Sequence, residues 1–152
     1  MESVKIVSSN RKARHEYFLL DNFEAGIALM GSEIKSIRAG QMSLAEAYVQ
    51  IDGKQAWLVD AHIAPYEQAA RMNHEPRRPR RLLLHKGEIL RLWDQVRLKG
   101  LTIVPVAVYL KNGRAKVEIA LAKGKKLYDK RADLAKKDAE REMQREYRSR
   151  DY

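Results

Sequence analysis

The sequence predicts a mainly β fold with helices, in which six short antiparallel strands close into a small barrel and a basic C-terminal tail follows. Two dipeptides, Asp52-Gly53 and Asn112-Gly113, each separate two apolar segments, and both favour the tight turns that join antiparallel strands. One segment with helical periodicity lies between these hairpins. Closure into a barrel is the economical arrangement because it leaves few strand edges exposed.

Two strand-like segments open the chain after a short basic run at residues 11–15. Residues 16–20 are aromatic and aliphatic, which is typical of a strand. Asp21 and Asn22 then predict a turn, because both side chains favour turn conformations. The apolar residues 23–30 are predicted to form the second strand.

A short helix is predicted over residues 33–39, with Ser32 as its N-cap and a glycine just past its end. The two isoleucines of this helix share one face, because residues three apart lie on the same side of a helix. We expect that face to be buried. Lys35 and Arg38 then form a basic outer face.

The middle of the chain predicts strands over residues 44–51 and 55–59, joined at Asp52-Gly53. An irregular segment with two prolines follows and becomes strongly basic between residues 71 and 81. We therefore expect a basic surface loop there, exposed to solvent and available to an anionic partner.

The most regular helical pattern covers residues 86–99, with Gly100 just past its end. Its apolar residues predict one buried face, made by Ile89, Leu90, Trp93 and Val96. Strands over residues 101–110 and 115–121 complete the count of six. Pro105 lies within the first of these, and it predicts an edge or a bulge because proline cannot donate to a ladder.

Composition and motifs favour a cytoplasmic protein that is not an enzyme and holds no metal or cofactor. Cysteine is absent, which excludes disulfides and thiolate metal sites. His85 and Glu88 are better explained as a helix start than as metal ligands. The first ten residues resemble no signal peptide, and no window reaches the roughly 18 apolar residues of a membrane span. A nuclease built on His15, Glu16 and Glu24 is the enzymatic alternative.

The charge distribution indicates a polyanionic partner, and nucleic acid is the first candidate. The net charge is +10, and residues 123–152 hold eleven Lys and Arg against seven Asp and Glu. Basic clusters at residues 11–14, 71–81 and 123–131, with nearby tyrosines for base stacking, are typical of RNA-binding surfaces. A ribosomal structural protein, a membrane-surface tail and a merely solvated charged face are the alternatives.

Residues 123–152 form a tail that follows a folded domain of residues 1–122. The tail contains too few large apolar residues to repay ordering, so we expect it to be disordered when free. From residue 132 onward it lacks glycine and proline and favours a helix on a partner. The helix would have a thin apolar stripe, with basic side chains nearly opposite: Lys137, Arg141, Arg145 and Arg148.

Five segments resemble the SsrA-binding protein (small protein B) family in order and spacing. They are Asn10–Tyr17 (NRKARHEY), Glu24–Leu29 (EAGIAL), Glu33–Gly40 (EIKSIRAG), Arg80–Leu84 (RRLLL) and Gly124–Arg131 (GKKLYDKR). The resemblance implies a barrel like that of oligonucleotide-binding folds. It also implies a non-enzymatic factor that binds the tRNA-like domain of transfer-messenger RNA. Separately, we expect the chain to be monomeric. Elongation factor Tu would share in delivering that RNA to stalled ribosomes, where the tail senses the empty decoding site and mRNA channel.

Candidate site residues come from the resemblance and the basic clusters together. The resemblance assigns RNA binding to Glu24 and Leu83, places His85 where some members have asparagine, and places Tyr128 where some have histidine. The residues expected to bind RNA from the barrel are Arg11, Lys12, Arg14, Glu24, Lys35, Arg38, Arg80, Arg81, Leu83 and His85. The residues expected to act on the ribosome are Gly124, Lys125, Lys126, Tyr128, Asp129, Lys130, Arg131 and the four basic residues of the tail helix.

Overall fold

The structure, a computed structural model, describes residues 4–125, with side chains 70 and 71 excepted. The predicted disorder and helix of the tail lie outside these residues. The elements are β1 (Val4–Ser9), α1 (Arg11–Glu16), β2 (Tyr17–Ile27), α2 (Gly31–Arg38), β3 (Met42–Ser43), β4 (Tyr48–Ile51), β5 (Ala56–Val59), β6 (His62–Ile63), a 3₁₀ helix (Glu67–Met72), β7 (Arg80–Leu83), α3 (Lys86–Lys99), β8 (Thr102–Lys111) and β9 (Arg114–Gly124).

Six antiparallel strands form a closed ring in the order β8, β4, β5, β7, β2, β9, and β9 pairs back onto β8. The junction between β4 and β8 is narrow, with Val49 and Ile103 as its paired residues. Strand β1 lies outside the ring on β8, and β3 pairs with β6 in a separate ribbon. The predicted class, mainly β with a closed six-stranded sheet and flanking helices, is confirmed.

The composition of the ring differs from the prediction at β2. The two strands predicted on either side of a turn are one strand, and Asp21 and Asn22 lie within it. The register against β9 shifts there, since Leu19 pairs with Ala122 but Asn22 pairs with Ala120. Leu20 and Asp21 therefore oppose the single residue Leu121, which is a β-bulge. The predicted turn is wrong because the bulge accommodates these turn-forming residues without ending the strand.

The sixth strand of the ring is β7, where the sequence predicted a basic surface loop. Arg80 and Leu82 point into the ring and are buried, whereas Arg81 and Leu83 are exposed. Buried and exposed residues alternate along β7, as in any half-buried strand, but one of the buried residues is an arginine. Sequence periodicity misses such a strand because an inward arginine counts as polar.

Helix α1 occupies the basic run near the start of the chain, for which the sequence predicted no secondary structure. Asn10 caps it, since its Oδ1 accepts a hydrogen bond from the backbone of Ala13 at 3.1 Å. The Asn10 side chain also donates to the carbonyl of Pro105 at 2.9 Å, which fixes the helix against β8. Asn10 is a favoured N-cap residue, so the sequence contained a signal for this helix.

Helix α2 begins earlier than predicted. Its N-cap is Met30, whose backbone N–H donates to the Glu33 carboxylate at 2.8 Å. Ser32 is not the cap but is buried, with its hydroxyl 2.8 Å from Nδ1 of His74. Lys35 and Arg38 are exposed, as the helical periodicity predicts.

The core fills the ring and the space beneath α2 and α3. Its largest members include Ile37, Leu44, Leu58, Ile63, Leu82, Leu92, Ile103, Val117, Ile119 and Leu121. On α3, Ile89 and Leu92 are buried and Leu90 is 45% exposed. Leu90 therefore lies off the buried face, and its predicted place in the core is wrong. No helix within residues 4–125 is long and apolar enough to cross a membrane.

Both predicted hairpins are present, and the bulge predicted at Pro105 is confirmed by a register shift between Pro105 and Ala107. In the second hairpin Asn112 and Gly113 have φ angles of 53° and 80°. The first hairpin is a four-residue loop, residues 52–55, and not a two-residue turn. Its Asp52 carboxylate accepts from the backbone N–H of the two residues that end the loop.

Gly53→Ala is expected to destabilise the chain more than Gly113→Ala. Both glycines have positive φ, 87° and 80°, so each alanine carries strain of about 1–2 kcal/mol. At Gly53 the new Cβ would also lie 3.1 Å from Cδ1 of Trp93, whereas nothing lies within 4 Å at Gly113. Urea unfolding of both variants measures the difference. Equal losses would contradict the close packing of Trp93 on the hairpin.

Candidate nucleic-acid interface

Four adjacent strands of the ring carry a continuous row of residues on their outer face. Lys116 of β9 pairs with Tyr109 of β8 on one side and with Gly26 of β2 on the other, and Gly26 pairs with Leu83 of β7. Directly opposite residues project from the same face of a sheet. Glu24, two residues before Gly26, shares that face. We call Tyr109, Lys116, Gly26, Leu83 and Glu24 the outer row.

The Glu24 carboxylate is bonded by two side chains of β8. The Tyr109 hydroxyl donates to its Oε2, and Nζ of Lys111 lies 3.5 Å from its Oε1. The Tyr109 hydrogen bond, with the positive charge of Lys111, lowers the pKa of Glu24. Burial and the neighbouring Glu24 raise the pKa of Tyr109. At neutral pH the pair is therefore a phenol donor and a carboxylate acceptor.

Leu83 forms an apolar surface on β7, diagonally across from Glu24 on β2. Its side chain is 51% exposed on the outside of the ring, although β7 is paired on both sides, with β5 and with β2. It rests on Gly26, where an added Cβ would lie 3.2 Å from Cβ of Leu83. The missing side chain of Gly26 thus allows Leu83 to lie close to β2. The sequence-predicted residues Glu24 and Leu83 thus lie on the same outer face of two neighbouring strands.

A groove opens beside the outer row at the β8–β9 hairpin. Its lining residues are Glu24, Lys111, Asn112, Arg114 and Lys116. Three of the five are cations, so the groove attracts phosphate. Sequence reasoning assigned none of the four groove residues other than Glu24 to the site. The sequence shows polar residues alternating with apolar ones along these two strands. Only the pairing of the strands in the structure shows that the polar residues surround Glu24.

The basic residues of α1 lie on the surface as the sequence predicts. Arg11, Lys12 and Arg14 are exposed, and Ala13 faces inward. Nζ of Lys12 lies 3.3 Å from the Glu46 carboxylate in an exposed ion pair. The helix therefore presents a small cationic surface fixed to the ring.

The start of the tail lies against α1. Gly124 pairs with Tyr17, so β9 extends two residues beyond the predicted domain boundary at residue 122. Nζ of Lys125 lies 3.4 Å from the carbonyl oxygen of Arg14 and 5.1 Å from the centre of the Phe18 ring. These contacts hold Lys125 against α1 and the start of β2.

The remaining predicted barrel residues are placed individually. Lys35 and Arg38 are exposed on α2, and Nζ of Lys35 lies 5.5 Å from the centre of the Tyr66 ring. Arg81 is exposed on β7. His85 is the N-cap of α3, and its backbone N–H donates to the carboxylate of the glutamate three residues later at 3.1 Å. The predicted helix-start pair is confirmed.

Arg80 does not lie on the surface, and that part of the prediction is wrong. Its side chain is fully buried and pairs with Glu33, which also pairs with Arg78. Its guanidinium donates to the carbonyls of Ala61 at 2.7 Å and Pro76 at 3.0 Å. The N–H groups of the Arg80 guanidinium are therefore bonded to partners inside the fold. Arg80 thus connects β7 to α2 and to two connecting loops.

Most predicted residues of the tail lie outside the part of the chain that the structure describes. These are Lys126, Tyr128, Asp129, Lys130, Arg131, Lys137, Arg141, Arg145 and Arg148. Gly124 and Lys125 are described, and both lie next to the start of β2.

Residues 7–149 match the family model described as SmpB protein. A protein named SsrA-binding protein from Desulforudis audaxviator is 58% identical over 144 residues, covering 95% of this chain and 94% of that protein. The protein of the same name from Carboxydothermus hydrogenoformans is 53% identical over 146 residues, covering 96% and 98%. A solved chain from work described as "tmRNA-SmpB: a journey to the center of the bacterial ribosome" is 48% identical, with a TM-score of 0.64 over 77% of this chain and 82% of that one.

Proposed function

The chain belongs to the SmpB protein family, and on that premise we propose that it binds transfer-messenger RNA and acts with it on stalled ribosomes in trans-translation. The observation that carries the proposal is the outer row, in which Glu24 and Leu83 share one exposed face of neighbouring strands. A carboxylate acceptor and an apolar surface beside a cationic groove suit an RNA whose bases are unpaired.

The two parts of the chain have separate tasks in this proposal. The ring binds the tRNA-like domain of transfer-messenger RNA, and the tail acts in the decoding site and mRNA channel of the ribosome. A tail that is disordered when free would fold against an RNA-walled channel, because phosphate contacts offset the ordering cost. An occupied mRNA channel would exclude it.

The chain acts as a monomer and without catalysis in this scheme. Elongation factor Tu accompanies the RNA to the ribosome, and the setting is the cytoplasm, where ribosomes translate. No metal or cofactor takes part, because positioning an RNA requires contacts and no chemical step. The ring and the tail supply those contacts.

Binding to the tRNA-like domain, with ordinary tRNA as competitor across a salt series, tests the proposal. We expect the preference for the tRNA-like domain to persist at high salt, because shape-specific contacts depend less on counterion release than phosphate contacts do. Equal and steeply salt-dependent binding to both RNAs would overturn the proposal. It would favour a general cationic surface, as on a ribosomal structural protein.

Glu24→Ala and Leu83→Ala are each expected to weaken binding to the tRNA-like domain by about 1–2 kcal/mol, or roughly 5- to 30-fold. The first removes an acceptor and the second an exposed apolar surface. Leu98→Ala on α3, which removes another exposed leucine, is the matched control. Circular dichroism checks that each variant folds. Unchanged binding by both site variants would contradict the placement of the interface.

A further inference from the structure

Glu24 and its cross-strand partner Glu118 place negative charge beside a groove whose cations attract a polyanion. A carboxylate repels phosphate, so it lowers binding that depends on charge alone. It can accept hydrogen bonds but donates none when ionised. Its favourable contacts with RNA are therefore restricted to donors, which are the ribose hydroxyls and the N–H groups of the bases. Glu24 is therefore suited to a base N–H or a ribose hydroxyl and not to a phosphate.

The neighbours of Glu24 fix its carboxylate in position and leave it accessible to a hydrogen-bond donor of the RNA. Tyr109 and Lys111 hold one oxygen each, and every carboxylate oxygen has two lone pairs. Each of the two oxygens therefore keeps one acceptor position. Glu24 is 41% exposed at its side chain, and the exposed Leu83 lies diagonally across from it on β7.

We propose that Glu24 binds the Watson–Crick edge of an unpaired guanine, that Leu83 packs against the face of that base, and that Tyr109 is the residue that positions the carboxylate. Guanine presents two adjacent donors on this edge, N1–H and the N2 amino group, which match two adjacent carboxylate oxygens. Adenine, cytosine and uracil each set an acceptor beside their donor, and that acceptor would face a carboxylate oxygen. The inference rests on the proposed function, because it names the nucleotide that the same face selects.

The groove supplies the complementary phosphate contacts. Arg114 and Lys116 line it together with Glu24, so cations lie beside the proposed base site. Base contacts specify a sequence, whereas phosphate contacts position the RNA. Glu24 and Leu83 therefore select the base, and Arg114 and Lys116 hold the backbone of the same or a neighbouring nucleotide.

Chemical probing of the full-length chain bound to the tRNA-like domain tests the assignment. Kethoxal modifies N1 and N2 of unpaired guanines, and dimethyl sulfate reports on unpaired adenines and cytosines. We expect the chain to protect one or more unpaired guanines from kethoxal. Glu24→Gln is expected to restore reactivity at one of them, leave the other protections in place and weaken affinity roughly tenfold. Each variant is probed at saturating protein, so that occupancy is matched.

Tyr109→Phe removes only the hydroxyl that holds Glu24. We expect an affinity loss of roughly threefold to tenfold and partial exposure of the same guanine. In a Glu24→Gln background the same change is expected to cost almost nothing, because the carboxylate it positions is gone. An equal loss in both backgrounds would overturn the positioning role. Tyr48→Phe and Glu67→Gln are the controls, since both residues are exposed and lie outside the outer row.

The outcomes separate this inference from the proposed function. If the chain prefers the tRNA-like domain but Glu24→Gln leaves every guanine protected, the base assignment is overturned and the function stands. The same holds if the position that Glu24→Gln exposes is an adenine or a cytosine. If the wild-type chain has no preference for the tRNA-like domain, the function and the inference both fail.

Discussion

Replacing Lys125, Lys126, Lys130 and Arg131 with alanine is expected to abolish peptide tagging on stalled ribosomes and leave binding to isolated transfer-messenger RNA largely unchanged. The RNA-binding contacts proposed for the ring come from the outer row and its groove, which these changes do not touch. The ribosomal decoding site is lined with RNA, so losing four cations removes several charge-assisted contacts. We expect the tagging rate to fall by roughly 100-fold or more.

A tagging assay with purified stalled ribosomes and a separate RNA-binding assay measure the two effects. A control chain with the same net charge removes four exposed cations elsewhere, Lys5, Lys54, Lys86 and Lys99. It should keep both activities, which excludes net charge as the cause. Parallel loss of tagging and RNA binding in the tail variant would contradict the separation of tasks.

Lys125 requires its own variant because it also contacts the folded part of the chain. Its ammonium lies near the Arg14 carbonyl and the Phe18 ring. A triple variant that retains Lys125 isolates the effect of Lys126, Lys130 and Arg131. The single change Lys125→Ala then reports how much of the loss comes from the contacts of Lys125 with Arg14 and Phe18.

Arg80→Ala is expected to lower the free energy of unfolding by about 3–5 kcal/mol, because it leaves the buried Glu33 carboxylate without one of its partners. Both side chains of this ion pair are fully buried. Lys12→Ala breaks an exposed ion pair, with side chains 48% and 61% exposed, and should cost about 0–1 kcal/mol. Urea unfolding of the two variants tests the contrast. Equal losses in the two variants would contradict the structural role of the buried ion pair.

The ion pair also makes stability depend on pH. Burial raises the pKa of Glu33, but hydrogen bonds from Arg78, the Met30 backbone and Arg80 outweigh it, so the folded pKa lies below the ordinary value. A depressed carboxylate pKa stabilises the fold above the unfolded pKa of about 4.3, and this contribution is lost as pH falls through the folded value. The stability difference between wild type and Glu33→Gln should therefore shrink below about pH 4. A difference that is constant down to pH 3 would contradict the assignment.

The sequence by itself determined the fold class and the family. Local patterns sufficed for the two hairpins, α3 and the basic face of α2, because turn propensity and helical periodicity depend on neighbours a few residues apart. The motifs that include Glu24 and Leu83 are also short and local, so the sequence alone identified these two residues as RNA-binding candidates. The count of six ring strands was also correct, although one predicted pair is the single strand β2 and the sixth strand is β7.

Only the tertiary structure decided which polar residues are buried and which ones meet. Arg80 and Arg81 are adjacent in a basic segment, yet one is inside the ring and the other is outside, because alternation along β7 sends them to opposite faces. Tyr109 lies 85 residues from Glu24, and its hydroxyl reaches that carboxylate through the pairing of β2, β9 and β8. Strand register sets such contacts, and it is fixed by packing across the whole ring rather than by local sequence.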